Sequence, residues 1–245
     1  MQIDALAVRL RPRTPFEAAD LGVRLCQHAW RSVFAAWALA AVPVFIIALA
    51  CLEFSSSVAL LLTWWLKPWL DRTVLFVLSR AAFGQSTSVG DVWRARQQVW
   101  LRHAWFTLTV RRFSPWRSLT EAVYQLERLP LTRSAGRVRQ IRHRHAWSAL
   151  MMTQTYLATE TAVMLSVLSL GFWLTPPGNE IPGLYAMVAG EAPPFITIGI
   201  PLAYMAAVFF VEPFYVASGF AMYLNRRAEL EAWDIEQELR RAFAR

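Results

Sequence analysis

Lysine and cysteine are both scarce in this chain. Lys67 is the one lysine among 245 residues, and the other basic residues are arginines and four histidines. The two cysteines, Cys26 and Cys51, are too few to form the disulfide framework of a small secreted domain. A helix that joined them would separate them by roughly 37 Å at 1.5 Å per residue, so no disulfide is expected between them.

Familiar motifs of catalysis and phosphate binding are also missing. The sequence has no Gly-x-Ser-x-Gly elbow, no glycine-rich phosphate loop and no His-Glu-x-x-His zinc motif. His143 and His145 are two residues apart, a spacing that does not place them on one face of a helix. We therefore expect no enzyme activity, no cofactor and no metal site.

Basic residues are confined to blocks of the chain. No Lys or Arg occurs between Ser32 and Leu66 or between His145 and Asn225, whereas residues 80–146 hold thirteen arginines and three acids. Basic blocks that alternate with base-free apolar blocks are typical of the positive-inside rule of membrane proteins. We therefore interpret the formal net charge of +8 as a topology signal and expect no nucleic-acid partner.

The apolar residues predict an all-α fold: a polytopic membrane protein with four transmembrane helices, plus amphipathic helices in a cytoplasmic loop. They make up 56% of the chain, against about 45–50% in soluble domains. Each apolar segment has about the 20 residues that a bilayer core requires. The predicted spans are Val33–Leu52, Val58–Leu78, Ala146–Leu174 and Phe195–Leu224. Prolines inside them are expected to kink the helices: Pro43, Pro68, Pro201 and Pro213.

These spans predict a single membrane domain over residues 1–245, located in the bacterial inner membrane with both termini in the cytoplasm. Its parts are a lead-in at 1–32, a helical hairpin at 33–78, a basic cytoplasmic loop at 79–144, a second hairpin at 145–224 and a charged tail at 225–245. The two predicted external turns, Glu53–Ser57 and Thr175–Pro194, contain acids but no bases. The charges of every loop therefore agree with one orientation.

Four helices are predicted outside the spans, the last of which is the charged tail, Ala228–Arg245. Thr14, Pro15 and Glu17 form a capping pattern that starts a helix in the lead-in. Asp91 is expected to cap a helix from Val92 to about Val110. A further helix follows Ser114-Pro115 and ends at Pro130.

The second of these helices and the basic run after the third are candidate lipid-binding surfaces. Trp93, Trp100 and Trp105 share one helical face opposite arginines, which favours a helix in the headgroup plane over one packed in a cytoplasmic subdomain. The basic run is either a site for anionic headgroups or only a topology signal. It contains Arg137, Arg139, Arg142 and Arg144.

Ionisable residues occur at mid-membrane positions of three predicted spans. Lys67, Glu160 and Glu212 lie near the centres of spans 2, 3 and 4, and Asp71 and Arg72 follow Lys67 by about one turn. An unpaired charge at that depth costs from ~3 to ~10 kcal/mol or more. We expect Lys67, Glu160 and Glu212 to meet, with Asp71 and Arg72 nearer the inner face. The cluster is either a static polar contact between helices or a path for an ion, a proton or a substrate.

Three segments carry a resemblance to a known group of proteins. They are Trp-Trp-x-Lys-Pro-x-x-Asp-Arg-x-x-Leu-Phe-Val-Leu-Ser-Arg-Ala-x-Phe-Gly at 64–84, Ser-Pro-Trp-Arg-Ser…Val-Tyr-Gln-Leu-Glu at 114–127, and Glu-Pro-Phe-Tyr-Val-Ala-x-Gly-Phe-x-Met-Tyr-Leu-Asn-Arg-Arg at 212–227. These segments resemble a group of uncharacterised proteobacterial inner-membrane proteins that are distantly similar to the membrane domain of glycerophosphodiester phosphodiesterases. The resemblance implies an inner-membrane location and a partner complex in the neighbourhood of a MoxR-type ATPase. It implies no catalytic residues, because the phosphodiesterase catalytic domain has no counterpart here.

These observations predict a non-enzymatic scaffold or assembly subunit of a membrane complex. Its expected partners are anionic lipid headgroups and other membrane or cytoplasmic proteins. The alternative is a small transporter or channel subunit that uses Lys67, Asp71, Glu160 and Glu212. A membrane enzyme acting on lipids would need an acid–base pair at a bilayer face, for which Asp71 and Arg72 are the only hint.

Overall fold

The computed structural model describes residues 13–127, 129–173 and 194–231, and within these ranges the regular secondary structure is entirely helical. The prediction of an all-α fold is therefore confirmed for the described residues. The helices are α1 (Pro15–His28), α2 (Trp30–Ala50), α3 (Ser56–Ala81), α4 (Val89–Arg94), α5 (Ala104–Leu108), α6 (Arg117–Leu126), α7 (Leu131–Arg142), α8 (Ala146–Trp173) and α9 (Pro194–Glu231).

Four long helices, α2, α3, α8 and α9, cover the four predicted spans to within a few residues, except that α9 continues beyond Leu224 to Glu231. The residues of the predicted tail helix after Glu231 lie outside those that the structure describes. Among the described residues, two segments are long and apolar enough to cross a membrane, namely Trp30–Glu53 and Ile196–Glu231. The core helix of a soluble protein can pass the same test, so this result alone supports a membrane location only weakly.

Helix α1 begins at the predicted capping pattern and packs along the C-terminal half of α9. Thr14 Oγ1 accepts a hydrogen bond from the Glu17 amide at 3.3 Å, and Glu17 Oε2 accepts one from the Thr14 amide at 3.0 Å. A Cβ atom on Gly22 would lie 2.3 Å from the carbonyl oxygen of Ala217 in α9. Glycine therefore allows the two helix backbones to touch, and α1 belongs to the bundle.

The prolines lie inside helices that continue through them: Pro43 in α2, Pro68 in α3, and Pro201 and Pro213 in α9. Because proline has no backbone N–H, the carbonyl four residues before it loses its helical partner. For Pro213 that carbonyl belongs to Phe209, and the indole Nε1 of Trp37 in α2 donates to it at 3.1 Å. The gap in the α9 hydrogen bonds is thus filled by a fully buried side chain of α2.

The prediction of one continuous helix from Val92 to about Val110 is wrong. Ser88, not Asp91, is the N-cap of α4, and Asp91 completes a capping box from the third helical position. The chain then forms a π-helical turn at Gln97–Leu101, and His103 takes a left-handed conformation with φ of 56° before α5 begins.

Side chains of α3 explain this break. Trp69 Nε1 donates to the carbonyl of Trp100 at 2.9 Å, and a guanidinium N–H of Arg72 donates to the carbonyl of Arg102. A continuous helix would use these carbonyls internally. The α3 side chains therefore stabilise an irregular path that amphipathic periodicity does not reveal.

Helix α6 is the main departure from the predicted cytoplasmic loop. It forms where a helix was expected after Ser114-Pro115, but eight of its residues are buried. A Cβ atom on Gly219 of α9 would lie 2.4 Å from Cβ of Ser118, so the two helices are in close contact. Gln125 Nε2 donates to the carbonyl of Arg72 in α3 at 2.8 Å. Helix α6, from the segment predicted as a loop, therefore packs in the bundle against α9 and α3.

Candidate functional site

Three of the predicted charged residues meet where α3, α8 and α9 approach one another. Lys67 Nζ lies 2.6 Å from Glu160 Oε2 and 2.7 Å from Glu212 Oε2. The residues are 7%, 6% and 2% exposed, respectively. One ammonium group therefore joins two carboxylates from two other helices, in an environment with little access to solvent.

Arg117 of α6 is a second cation in this cluster, and sequence reasoning missed it. Its Nη2 atom lies 2.9 Å from Glu212 Oε1 and 3.1 Å from Asp71 Oδ2. Glu212 thus binds Lys67 through one oxygen and Arg117 through the other. We call Lys67, Asp71, Arg117, Glu160 and Glu212 the buried network. Arg117 escaped detection because it lies in a segment assigned to the cytoplasm, outside every predicted span.

Arg72 does not join Asp71, although the two are adjacent in sequence. Neighbouring residues of a helix point about 100° apart, and the Arg72 guanidinium instead faces α6, where its Nε lies 3.8 Å from Glu121 Oε1. Arg111 forms a closer ion pair with the other oxygen of Glu121. The five charges predicted as one group are therefore divided between two buried groups, both completed by arginines of the loop.

A cavity of about 760 Å³ borders the buried network. It lies between α3, α8, α9 and the segment Arg112–Pro115, and the network residues Lys67, Glu160, Arg117 and Glu212 form part of its wall. Aliphatic side chains form another part: Leu60, Leu61, Leu157, Met164 and Ile200. The cavity therefore combines a charged region with an apolar one.

Arg112 contributes a further cation to the cavity wall. Its guanidinium carbon lies 3.5 Å from the centroid of the Trp64 ring, and the residue is only 7% exposed. Its Nε and Nη2 atoms make no hydrogen bond within the described residues. Burial, together with the positive charge of Arg117, lowers the pKa of Arg112 to about 10. The group therefore stays protonated at neutral pH, with two unsatisfied donors.

The tryptophans predicted at the lipid interface divide into two kinds. Trp93 and Trp105 are 56% and 81% exposed. Trp100 is half-buried against α3, where its indole donates to Thr73 Oγ1 at 2.8 Å and its ring lies 5.7 Å from that of Trp69. The expected three-tryptophan face does not form because the helix that would display it is broken.

The arginines of the basic run also differ in their surroundings. Arg137 of α7 is held by Glu127 at 3.0 Å and by Glu231. The guanidinium of Arg142 lies over the ring of Trp116, 4.3 Å from its centroid. Arg139 and Arg144 are exposed. The run thus combines residues that fix α7 to its neighbours with residues that are accessible to a partner.

Among the described residues, no group of three or more His, Cys, Asp or Glu side chains could hold a metal ion. Comparison of the chain with family models, with curated proteins and with solved structures found no match. The chemistry of the site is therefore interpreted from its own geometry.

Proposed function

We propose that this protein is a multi-pass inner-membrane scaffold or assembly subunit without catalytic activity. All four long helices cross the bilayer, and both chain ends lie in the cytoplasm. The observation that carries the proposal is the buried network, because each of its two cations already binds two carboxylates. Such mutual pairing is better suited to a fixed connection of α3, α6, α8 and α9 than to a moving charge.

Exposed apolar side chains on the long helices support the membrane location. Soluble monomers rarely expose contiguous apolar patches larger than a few hundred Å². Large apolar side chains are exposed on all four helices: Val42, Ile46 and Ile47 on α2, Leu61 on α3, Leu157, Leu165 and Leu170 on α8, and Leu202 and Phe210 on α9. Contact with lipid removes these groups from water without requiring a protein partner.

Hydroxyl groups on the exposed surface of α8 give a second line of support. Thr155, Thr159, Thr161 and Ser166 are exposed, and each donates to the carbonyl four residues earlier at 2.8–3.0 Å. In hydrocarbon a hydroxyl has no water to bind, so a bond to its own helix satisfies it. This pattern suits a lipid-facing helix.

The orientation follows from the arginines. Residues between α3 and α8 carry twelve of the 25 Lys and Arg side chains, and the turn between α2 and α3 carries none. The positive-inside rule therefore places α4–α7 in the cytoplasm or at its membrane edge, except where α6 enters the bundle. Arg139 and Arg144 then present exposed charge to acidic proteins or anionic headgroups.

A transporter or channel subunit is the second candidate, and the cavity is the observation that favours it. The cavity reaches Lys67 and Glu160 from between the helices. A moving ion or proton would use this access, and it would require the Lys67 contacts to open during each cycle.

Two measurements on matched variants separate the candidates. In native membranes, a scaffold is expected to migrate well above the 28.0 kDa monomer on blue native electrophoresis. The Arg139→Glu, Arg144→Glu double variant should lose that species, whereas Arg24→Glu, an exposed charge reversal on α1, should retain it. If the protein is cross-linked in membranes before extraction and still migrates only as a monomer, the scaffold proposal is contradicted.

The second measurement is flux in proteoliposomes. A scaffold gives no proton or sodium flux above empty liposomes. If wild-type protein carries such a flux and a stably folded Glu160→Gln variant loses it, the protein is a transporter or channel subunit and the scaffold proposal is wrong.

A further inference from the structure

Arg112 is the buried cation of the cavity that lacks a carboxylate. Lys67 and Arg117, the other two cations in the wall, are each bound by two carboxylates at 2.6–3.1 Å. Arg112 makes no such ion pair within the described residues, and two of its nitrogen atoms are buried without acceptors. A buried donor without an acceptor is unfavourable, so an oxygen ligand at this position would stabilise the site.

The geometry at Arg112 suits an oxyanion. The face of the guanidinium rests on Trp64, which fixes the plane of the group, and its Nε and Nη2 atoms have no acceptor among the described residues. Parallel N–H groups of arginine match the oxygens of a carboxylate or phosphate. The acidic residues of the wall, Glu160 and Glu212, are already neutralised by Lys67 and Arg117. They therefore do not compete for Arg112.

The remainder of the cavity suits a hydrocarbon chain. Leu60, Leu61, Leu157 and Met164 line it, and Leu61 and Leu157 are more than half exposed at the bundle surface. The volume of about 760 Å³ falls within the ~300–1,000 Å³ that is typical of small-molecule sites. Because Leu61 and Leu157 both line the cavity and reach the bundle surface, a hydrocarbon chain can enter the cavity laterally from the bilayer.

We propose that the cavity binds an anionic amphiphile, with its oxyanion at Arg112 and its acyl chain between α3 and α8. The head group is a phosphate or a carboxylate, which present the same acceptor chemistry to the guanidinium. This site goes beyond the scaffold proposal and shares with it only the membrane location. Amphiphile binding is measured on purified protein, whereas the scaffold proposal is tested in membranes. Either proposal can therefore fail without the other.

The test measures binding of three single-chain probes to protein in an uncharged detergent, by native mass spectrometry with titration. The probes are palmitoyl lysophosphatidate, palmitate and monopalmitoyl glycerol, which share one chain and differ in the head group. Wild-type protein should prefer one or both anionic probes over the glycerol ester. The preferred anion identifies the source of the ligand as a phospholipid or a fatty acid.

Variants locate the site. Arg112→Gln should weaken anionic binding by roughly ten-fold or more, the loss expected for a charge-assisted hydrogen bond, and leave the glycerol ester unchanged. Arg142→Gln is the matched control, because Arg142 also covers an indole but lies outside the cavity lining. Met164→Trp, which fills the apolar region, should weaken binding of all three probes.

Three results would overturn the proposal: no preference for the anionic probes, equal losses in Arg112→Gln and Arg142→Gln, or undiminished binding in Met164→Trp. If Arg112→Gln fails to fold, Arg112→Lys takes its place. A lysine keeps the charge but not the two parallel donors, so its anion binding should be weaker than that of the wild type. Unchanged anion binding in a folded Arg112→Lys variant would then reject the assigned geometry.

Discussion

Glu212 is the residue on which the interior charges converge. Both of its oxygens bind cations, Lys67 from α3 and Arg117 from α6, and the residue is 2% exposed. Removing one member of a buried ion pair costs roughly 3–5 kcal/mol because the other member is left as an uncompensated charge. The network therefore makes specific predictions for single and paired substitutions.

Lys67→Met is expected to lower the free energy of unfolding by about 3–5 kcal/mol. It leaves Glu160, Glu212 and Asp71 with Arg117 as the one remaining cation of the buried network. Adding Glu160→Gln should restore part of the loss, because it removes the carboxylate that depended on Lys67. Denaturant unfolding in mild detergent measures both values, and their coupling should exceed about 0.5 kcal/mol.

Glu53→Gln supplies the control for this pair. Glu53 is an exposed carboxylate in the turn after α2, so its neutralisation should not help Lys67→Met. The network account fails if Lys67→Met is as stable as the wild type, or if Glu53→Gln restores stability as well as Glu160→Gln does.

Trp37→Phe tests the hydrogen bond at the proline of α9. It removes the indole donor and leaves the Phe209 carbonyl without its partner from α2, which should lower the free energy of unfolding by about 1–3 kcal/mol. In a Pro213→Ala background, the new amide at 213 can bond to that carbonyl. In that background, Trp37→Phe should therefore lower the free energy of unfolding by less than it does in the wild type. Equal costs in the two backgrounds, measured by thermal unfolding, would exclude this explanation.

Sequence reasoning at the residue scale succeeded where span depth alone was decisive. It predicted that Lys67, Glu160 and Glu212 meet, because an ionised group inside a bilayer requires a partner. In the structure, Glu160 Oε2 and Glu212 Oε2 lie 2.6 and 2.7 Å from Lys67 Nζ. It did not include Arg117 or Arg112, which come from a loop. Nor did it separate Asp71 from Arg72, since helix rotation relative to a neighbour is a tertiary property.

At the scale of elements, the long helices were predictable and the short ones only partly so. A run of about 20 apolar residues fixes a helix regardless of its neighbours, and the predicted starts of α3 and α8 lie within two residues of those observed. The region between Val92 and Val110 depends instead on Arg72 and Trp69, which bind its carbonyls. The position of α6 depends on the space beside Gly219. Neither influence leaves a periodic signal.

The packing of α1 on α9 gives a prediction at this scale. Gly22→Ala should push α1 away, because the new Cβ would meet backbone atoms of Ala217 at 2.3 and 2.6 Å. Cys26 of α1 is fully buried, and burial raises the pKa of its thiol to about 12. Since the thiolate is the reactive form, Cys26 should resist maleimide at pH 8 in the wild type and react readily in Gly22→Ala.

Gly136→Ala is the control for that experiment. A Cβ at Gly136 of α7 meets no atom within 4 Å, and alanine is the better helix former by about 1 kcal/mol. Both variants and the wild-type reference carry Cys51→Ser, so that Cys26 is the one thiol. If Gly22→Ala and Gly136→Ala leave Cys26 equally protected, the close contact between α1 and α9 is not required for burial.

At the scale of the whole molecule, we propose a helical bundle in the bilayer, with the buried network inside it and an arginine-rich face towards the cytoplasm. Composition and loop charge carried this prediction. The folding of α6 into the bundle could not be inferred from them, because a loop between spans is ordinarily assigned to one side of the membrane. The segment between α3 and α8 therefore combines exposed arginines with a helix, α6, that is part of the interior.

The most direct test is the accessibility of single cysteines in spheroplasts to a membrane-impermeant maleimide, in a background carrying Cys26→Ser and Cys51→Ser. Ser57 is exposed in the first turn of α3, and Arg139 is exposed on α7. Ser57→Cys should react in intact spheroplasts, and Arg139→Cys should react only after lysis. Reaction of both under the same condition, or recovery of the protein in the soluble fraction, would contradict a bundle that spans the membrane in the proposed orientation.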